Sequence, residues 1–376
     1  MIKTLLGGLS PRQFLRDYWQ KKPLLVRQAI PGFSGVLPRP EIFRLARDED
    51  IESRLVTQQR GQWSMQRGPL SNATIKSLPK TNWTILIQDL NHHIAAGRDL
   101  LREFSFIPYA RLDDLMVSYA APGGGVGPHF DSYDVFLLQG AGERRWRISE
   151  QTDLALRPNV PLKILKNFKP QQEWVLAPGD MLYLPPNIAH EGTALSECMT
   201  YSIGFRAPSA QELAFNFLNF LQDELQLDDM YGDADLRLQS TPGEINHMMV
   251  RRTAQMLKKL NWDNNACAKF LGTYLTEPKA HVYFSPPDSV LSPAQFRREV
   301  AARGISLDLK SRMLTHQRWV FINGECAIMA PDSTAHLREL CDGWMISPKQ
   351  TIDPISLTLL HEWYRHGYLA LHGKEK

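Results

Sequence analysis

The spacing of apolar residues changes character twice along the chain. In the first hundred residues it is helical: Ser10-Pro11 marks a helix start, and apolar side chains follow at positions 14, 15, 18 and 19. Two further helices are predicted over 39–53 and 84–104. From about 111 to 206 the apolar runs become short and are separated by turns rich in glycine and proline, which is typical of closely spaced antiparallel strands. This stretch predicts a β sandwich or a small barrel.

Helical spacing returns after residue 206, and it is followed by a C-terminal segment in which helices and strands are both predicted. The predicted elements are, in order, helices over 210–225 and 247–262, a linker over 277–293, a helix over 293–303, a hairpin over 318–329, and helices near 334–342 and 355–367. The hairpin turns at Asn323-Gly324, a pair that favours tight turns between strands. The pattern therefore predicts a β core surrounded by helices, a helical connector and a small α+β tail.

Composition and charge narrow the class of protein. With 43% apolar and 10% aromatic residues the chain can form hydrophobic cores, which excludes wholesale disorder. Its 43 Lys and Arg against 40 Asp and Glu give a net charge of +3, far from the basic excess of a protein that coats nucleic acid. The 4 cysteines form no C-x-x-C pair, and no signal peptide or membrane-spanning run is evident. We expect a soluble cytoplasmic protein that does not engage a membrane.

Two of the 11 histidines stand out by their surroundings. In an extended strand, His129, Asp131 and Tyr133 would share one face. His190 follows a predicted buried strand and the rigid break at Pro185-Pro186. Two histidines and a carboxylate, with no cysteine in support, match the ligand triad of non-haem Fe(II) oxygenases. A structural zinc site would need a fourth protein ligand, whereas manganese stays open as an alternative.

A third candidate residue lies on the predicted strand over 143–149. Arg144, Trp146 and Ile148 share one face of this strand, and the apolar character of that face predicts that it is internal. A buried guanidinium needs an anionic partner, because its desolvation is otherwise very costly. A dicarboxylate cosubstrate would supply one, since the planar fork suits bidentate binding of a carboxylate. A core Asp or Glu that pairs with Arg144 for structural reasons is the alternative.

Together these residues carry a resemblance to a known family. The order H-F-D at 129–131, then Arg144, then P-G-D-M-L-Y-L-P-P-x-x-x-H at 178–190 resembles the JmjC-type 2-oxoglutarate oxygenases of the cupin superfamily. The likeness is closer to the bacterial ribosomal oxygenases, which hydroxylate an arginine side chain of a large-subunit ribosomal protein. The segments that carry this closer likeness are 18–27, 53–56, 111–148 and 190–208.

The resemblance implies an architecture. It is an α+β fold with a double-stranded β-helix (cupin/JmjC) core, a helical jacket, a helical dimerisation segment and a C-terminal winged-helix-like domain. The expected boundaries are 1–208 for the oxygenase domain, 209–276 for the dimerisation segment and 277–376 for the winged-helix-like domain. A homodimer is expected, although the apolar stripe on the 210–225 helix could instead pack on its own β core. That stripe comprises Leu213, Phe217, Phe220 and Leu221.

The resemblance also implies roles for individual residues. His129, Asp131 and His190 would bind Fe(II), and Arg144 would hold the distal carboxylate of 2-oxoglutarate, with O2 as the second cosubstrate. Family members commonly have Asn near the cosubstrate where this chain has Thr200, whose hydroxyl could still donate. For the substrate guanidinium the likeness nominates Asp114, Tyr133 and Ser202. Only one of Asp113 and Asp114 can face the pocket, and the sequence leaves that choice open.

Three functions remain open at this stage. The first is hydroxylation of an arginine in a large-subunit ribosomal protein. The second keeps the same chemistry on another residue, as a histidyl hydroxylase or a lysyl demethylase. The third is a non-catalytic cupin and winged-helix adaptor. Contact of the tail with nucleic acid also stays open, because a winged-helix fold alone does not establish it.

Overall fold

The chain divides between Ala207 and Pro208 into two units, which are described separately. The structure, a computed structural model, describes residues 2–225, 227–329 and 334–372. Within these ranges no helix combines the length and apolar character needed to cross a membrane. The division into three domains stays a prediction.

The first unit begins with helices and continues into the β core. Its helices are α1 Ile2–Leu5, α2 Pro11–Asp17, α3 Arg39–Leu45, α4 Asn72–Lys76 and α5 Ala95–Arg102, with a short 3-10 turn at Leu90–His92. Its strands are β1 Leu24–Val26, β2 Ser53–Gln59, β3 Gln62–Arg67, β4 Trp83–Ile87, β5 Leu112–Ala120, β6 Asp134–Gln139, β7 Arg144–Ser149, β8 Gln172–Leu176, β9 Met181–Leu184, β10 Ala189–Ala194 and β11 Cys198–Phe205.

These strands form two antiparallel sheets with a shared interior. The larger sheet has the order β1-β9-β6-β11-β5-β4-β2-β3, and the smaller one has the order β10-β7-β8. Apolar side chains of β6 and β9 from the larger sheet meet those of β7 and β8 from the smaller one. This interior cluster consists of Val135, Leu137, Trp146, Ile148, Leu176, Leu182 and Leu184. The predicted antiparallel β core is confirmed, and burial of these side chains is the main source of its stability.

Two of the predicted helices of the first unit are wrong in part. The segment predicted as helical over 84–104 begins inside β4, and helix α5 starts only at Ala95. Every residue of β4 is buried, because the strand lies between β2 and β5. A run that is apolar on both faces carries no period that could distinguish a strand from a helix. The helix predicted over 39–53 ends at Leu45, and β2 begins at Ser53.

The second unit contains a helical part and a mixed part. Its helices are α6 Ala210–Glu224, α7 His247–Leu257, α8 Asn264–Thr276, α9 Pro293–Arg303, α10 Thr334–Gly343 and α11 Pro354–Arg365. Its strands are β12 Ile305–Leu307, β13 Met313–His316, β14 Trp319–Ile322, β15 Glu325–Ile328, β16 Met345–Ile346 and β17 Leu369–Leu371, in two small sheets ordered β16-β12-β17 and β13-β14-β15. The predicted hairpin is confirmed as β14 and β15, and both Asn323 and Gly324 at its turn have positive φ.

Helix α8 joins the two parts of this unit. A Cβ atom on Gly272 would lie 2.4 Å from the Phe321 ring, so only glycine allows the helix to approach β14 this closely. On its other side, Phe270 of α8 receives Phe217 and Phe220 of α6, with ring centroids 5.2 and 5.8 Å away. Part of the apolar stripe of α6 is therefore covered within the second unit itself.

Candidate metal centre

The structure brings together the three residues that the sequence predicts as metal ligands. The ligand atoms of His129, Asp131 and His190 lie within 4.8 Å of one another. His190 Nε2 is 3.6 Å from Asp131 Oδ2, and the two imidazole centroids are 4.2 Å apart. Among the described residues this is the only group of three or more His, Cys, Asp or Glu side chains with such spacing.

The backbone fixes this arrangement in an unexpected way. The segment that contains His129, Asp131 and Tyr133 is not a regular strand, because β6 begins only at Asp134. Instead His129 forms an isolated bridge with His190, in which each backbone N–H donates to the other residue's carbonyl at 2.9 and 2.7 Å. The backbone N–H of Asn187 donates to the Asp131 carbonyl at 2.7 Å. The premise of a regular strand over these residues is therefore wrong, although the ligands do converge and Tyr133 does lie close to Asp131.

Both imidazoles are oriented for metal binding through the same nitrogen. His129 Nδ1 lies 2.9 Å from the Gly127 carbonyl, and His190 Nδ1 lies 2.9 Å from the Ile188 carbonyl. A carbonyl accepts only, so each Nδ1 carries the hydrogen and each Nε2 keeps its lone pair free for a metal. Burial, followed by the neighbouring His129, lowers the pKa of His190 to about 4. His190 is thus neutral at physiological pH, as a ligand must be.

The predicted burial of Arg144 is confirmed. The residue is 4% exposed, and its Nη1 donates to Ser118 Oγ at 2.8 Å and to Thr200 Oγ1 at 3.2 Å. Its Nε has no hydrogen-bond partner, and no described carboxylate forms an ion pair with it. This burial lowers the pKa of Arg144. If Arg144 served only the fold, a buried Asp or Glu would be expected to pair with it, and the described residues provide none. The buried guanidinium is therefore suited to bind the carboxylate of a ligand.

Arg144 and the metal ligands line the same interior face. Strands β7 and β10 are paired so that Arg144 lies opposite Ala194 and Ile148 lies opposite His190. Between them the Trp146 ring lies 5.9 Å from the His190 ring and 5.5 Å from Cζ of Arg144. Gly192 permits this, because a Cβ there would come within 2.7 Å of the Trp146 ring. The residues present thus fit a metal with a chelating dicarboxylate between it and Arg144.

Thr200 has a different hydrogen-bonding role from the one that the sequence left open. Its hydroxyl donates to Gln139 Oε1 at 2.9 Å and accepts from Arg144. The hydroxyl hydrogen is directed at Gln139 in this structure, and the contact of Thr200 with the cosubstrate stays a prediction. Ser118 and Gln139, which hold Arg144 and Thr200, were missed in the sequence because they are contributed by the neighbouring strands β5 and β6.

Two of the residues predicted to contact the substrate, Asp114 and Ser202, lie on neighbouring strands of the larger sheet, and Tyr133 lies just before β6. Asp114 and Ser118 are four residues apart on β5, so they share a face, and Asp113 points the other way. Asp114 is 5% exposed, and a Cβ on Gly204 would lie 3.2 Å from its Oδ1 and 4.0 Å from Cε2 of Tyr133. Ser202 is buried on β11, two residues from Gly204. The part these side chains play in substrate binding stays a prediction.

Electrostatics distinguish Tyr133 within this group. Tyr133 is 40% exposed as a residue, yet desolvation of its phenol, followed by the carboxylates of Asp131 and Asp114, raises its pKa. The phenol therefore stays protonated at physiological pH and can donate a hydrogen bond. The phenol thus lies near one predicted metal ligand, Asp131, and near Asp114, the acid that is predicted to contact the substrate.

Comparison with known proteins extends over both units. Residues 99–213 match the JmjC domain family and residues 259–370 match the ROXA-like winged helix family. The chain is 34% identical to the ribosomal protein uL16 3-hydroxylase of Escherichia coli, over 83% of this chain and 84% of that protein. It is 33% identical to a probable ribosomal oxygenase of Haemophilus influenzae, over 84% and 82% of the two chains. A structure of an Escherichia coli ribosomal oxygenase in complex with cobalt and 2-oxoglutarate matches with a TM-score of 0.84 at 30% identity, covering 97% of this chain and 99% of that one.

Proposed function

Since the chain belongs to the JmjC-type ribosomal oxygenases, we propose that it hydroxylates an arginine side chain of a large-subunit ribosomal protein. The relative named for uL16 makes that protein the first substrate to test. The observation that carries the proposal is a ready set of metal ligands on the same interior face as a buried guanidinium that has no anionic partner. A ribosomal substrate would also place the enzyme in the cytoplasm.

Three side chains would hold the metal, and one would hold the cosubstrate. His129 and His190 would bind Fe(II) through Nε2, and Asp131 would bind it through a carboxylate oxygen. Arg144 would bind the distal carboxylate of 2-oxoglutarate, with Ser118 and Thr200 fixing the guanidinium. When bound, Fe(II) supplies the activation of O2, whose oxygen atoms end in succinate and in the new hydroxyl group while 2-oxoglutarate loses CO2.

The protein must then direct a reactive oxidant to one carbon atom, and positioning provides the selectivity. The Asp114 carboxylate would pair with the substrate guanidinium, and the Tyr133 and Ser202 hydroxyls would contact the same side chain. The interior wall of the β core near His190, including Trp146, is apolar and would limit the approach of water from that side.

The alternatives differ in what they require of these residues. A histidine side chain would be better held by neutral partners, so the buried Asp114 favours a cationic target. A lysyl demethylase would also bind a cationic side chain. Activity on an arginine peptide and on a methyl-lysine peptide must therefore be compared to distinguish it from an arginyl hydroxylase. A non-catalytic adaptor gives no reason for a buried Arg144 that lacks an anionic partner.

We also propose that the protein is a homodimer through its helical part. The face of α6 that does not meet α8 exposes Phe215 at 62% and Leu218 at 60%, and α7 exposes Met248 and Val250. Apolar exposure on this scale is typical of a surface covered by a second subunit. Light scattering during gel filtration should give twice the 42.9 kDa chain mass for the wild type and the chain mass for Phe215→Glu/Leu218→Glu. A monomeric wild type would contradict the dimer.

The reaction is tested with purified enzyme, Fe(II), 2-oxoglutarate, O2 and the uL16 protein of the host. We expect succinate release that depends on uL16, and one added oxygen on an arginine of uL16. Peptides in which that arginine is replaced by histidine or by methylated lysine test the alternatives in the same assay. Succinate release without change in uL16 would leave an oxygenase with another substrate, and neither product would favour the adaptor.

A further inference from the structure

Asp114 is held by a residue that lies outside the metal-binding motifs and outside the strand of Arg144. Gln88 lies just after β4, and its Nε2 donates to Asp114 Oδ2 at 2.6 Å. The backbone N–H of Asp89 donates to the same oxygen at 3.3 Å. Gln88 is itself fixed to the sheet, because its backbone N–H donates to the Glu52 carbonyl at 3.0 Å. One oxygen of the Asp114 carboxylate is therefore anchored from β4.

The orientation of the Gln88 amide is set by a cation on the neighbouring strand. Arg54 of β2 donates from Nη2 to Gln88 Oε1 at 2.9 Å. A guanidinium has only donors, so the amide atom it meets must be the oxygen, and the NH2 group must then face Asp114. Arg54, Gln88 and Asp114 thus form a chain in which each donor has a defined acceptor, and the positive charge at one end favours the carboxylate at the other.

The second oxygen of Asp114 faces the space where the substrate is proposed to bind. Oδ1 lies 3.2 Å from the position that a Cβ on Gly204 would occupy, and Cε2 of Tyr133 lies 4.0 Å from the same point. Any side chain at position 204 would enter this space. Anchoring Oδ2 therefore points Oδ1 toward the gap between β11 and Tyr133.

We propose that Gln88 and Arg54 are positioning residues that set the preference of this site for a cationic side chain. They act through Asp114 and need not touch the substrate. The inference rests on the proposed function, because it assigns the source of that function's selectivity. Without Gln88 the carboxylate loses its 2.6 Å hydrogen bond and is held less firmly by the longer bond from the Asp89 N–H. The site then loses much of its ability to distinguish a guanidinium from a neutral group of the same shape.

The experiment compares two uL16 peptides that differ only at the modified arginine, which is replaced by neutral citrulline in the second. We expect Gln88→Leu to raise KM for the arginine peptide about tenfold with kcat within about twofold, the loss of one hydrogen bond to a charged group. The ratio of kcat/KM between the arginine and citrulline peptides should fall by a similar factor. Arg54→Met, which leaves the amide in place but free to turn, should raise KM by a smaller factor of about three.

A matched control and two readouts keep the outcomes distinct. Gln66→Leu makes the same substitution at an exposed site on β3 and should leave KM and discrimination unchanged. If the wild type hydroxylates the arginine peptide but Gln88→Leu keeps its KM and its discrimination, the positioning role is overturned. A fall in kcat alone, or an equal loss for both peptides, would show a merely structural role and would overturn it too. If the wild type hydroxylates no arginine peptide, the proposed reaction fails and the role of this pair fails with it.

Discussion

Replacing Arg144 by methionine tests whether this side chain serves to bind a ligand or to stabilise the fold. In the ligand-free protein its guanidinium is buried beside two hydroxyls, and Nε has no partner. The free-energy cost of burying this charge is therefore poorly compensated until the carboxylate of a ligand binds to it. If the account is right, the substitution has little effect on the stability of the ligand-free protein and a large effect on the affinity for 2-oxoglutarate.

The expected magnitudes follow from the contacts. Arg144→Met gives up two hydrogen bonds from a charged group, to Ser118 and Thr200, each worth about 1.5–3 kcal/mol, and relieves a desolvation cost of several kcal/mol. The free energy of unfolding should therefore fall by no more than about 1 kcal/mol, against about 3–5 kcal/mol for breaking a structural buried ion pair. Two lost hydrogen bonds to a charged ligand, at about 1.5–3 kcal/mol each, should weaken 2-oxoglutarate binding about 100- to 10,000-fold.

Thermal unfolding with and without 2-oxoglutarate measures both effects, with Co(II), the metal in the related complex with 2-oxoglutarate, in place of Fe(II). At a ligand concentration of 100 times Kd, binding stabilises the wild type by about 2.7 kcal/mol. That should raise the Tm of the unit Met1–Ala207 by several degrees, at about 2–4 °C per kcal/mol for a unit of this size. Arg144→Met should show no such rise. Arg145→Met, on the other face of β7, should keep it. A variant that retains the rise, or that loses more than about 3 kcal/mol without ligand, would refute the reasoning.

Three further predictions concern the metal and substrate residues. Asp131→Ala should abolish hydroxylation in a protein with an unchanged circular dichroism spectrum, and normal turnover in that variant would remove the metal model. Asp114→Ala should weaken binding of the arginine peptide in calorimetry by about 10-fold or more, whereas Asp113→Ala should not; equal effects would contradict the assignment of Asp114 to the pocket. Burial lowers the pKa of His190 from 6.5 to about 4. Between pH 6.5 and pH 4, the unfolded metal-free chain therefore binds a proton at this histidine that the folded chain does not bind. The free energy of unfolding in urea should therefore fall as the pH drops from 6.5 to 4, and an equal fall in His190→Leu would contradict this.

The metal ligands could be predicted because short local motifs carry them. H-x-D and the histidine after Pro185-Pro186 mark the ligands by residue type and spacing, although the backbone bridge that brings His129 and His190 together joins distant segments. The burial of Arg144 followed from strand alternation, since Trp146 and Ile148 mark the inner face of β7 unambiguously. Where the local pattern carried one clear period, the prediction was right.

The remaining features depend on contacts between distant segments. The apolar run of β4 gave no period, so its position between β2 and β5 could not be derived from spacing. Gln88 lies 26 residues from Asp114 and Ser118 lies 26 residues from Arg144, and neither glutamine nor serine signals a role by type. The choice between Asp113 and Asp114 required the register of β5, which places Asp114 on the face of Ser118.

The central claim is most directly tested by mass spectrometry of ribosomal proteins from cells that lack this enzyme, after incubation with the purified protein, Fe(II), 2-oxoglutarate and O2. The account predicts one added oxygen on an arginine of a large-subunit protein, located by fragmentation and absent with Asp131→Ala. An unchanged mass for every ribosomal protein, together with no succinate release, would contradict it.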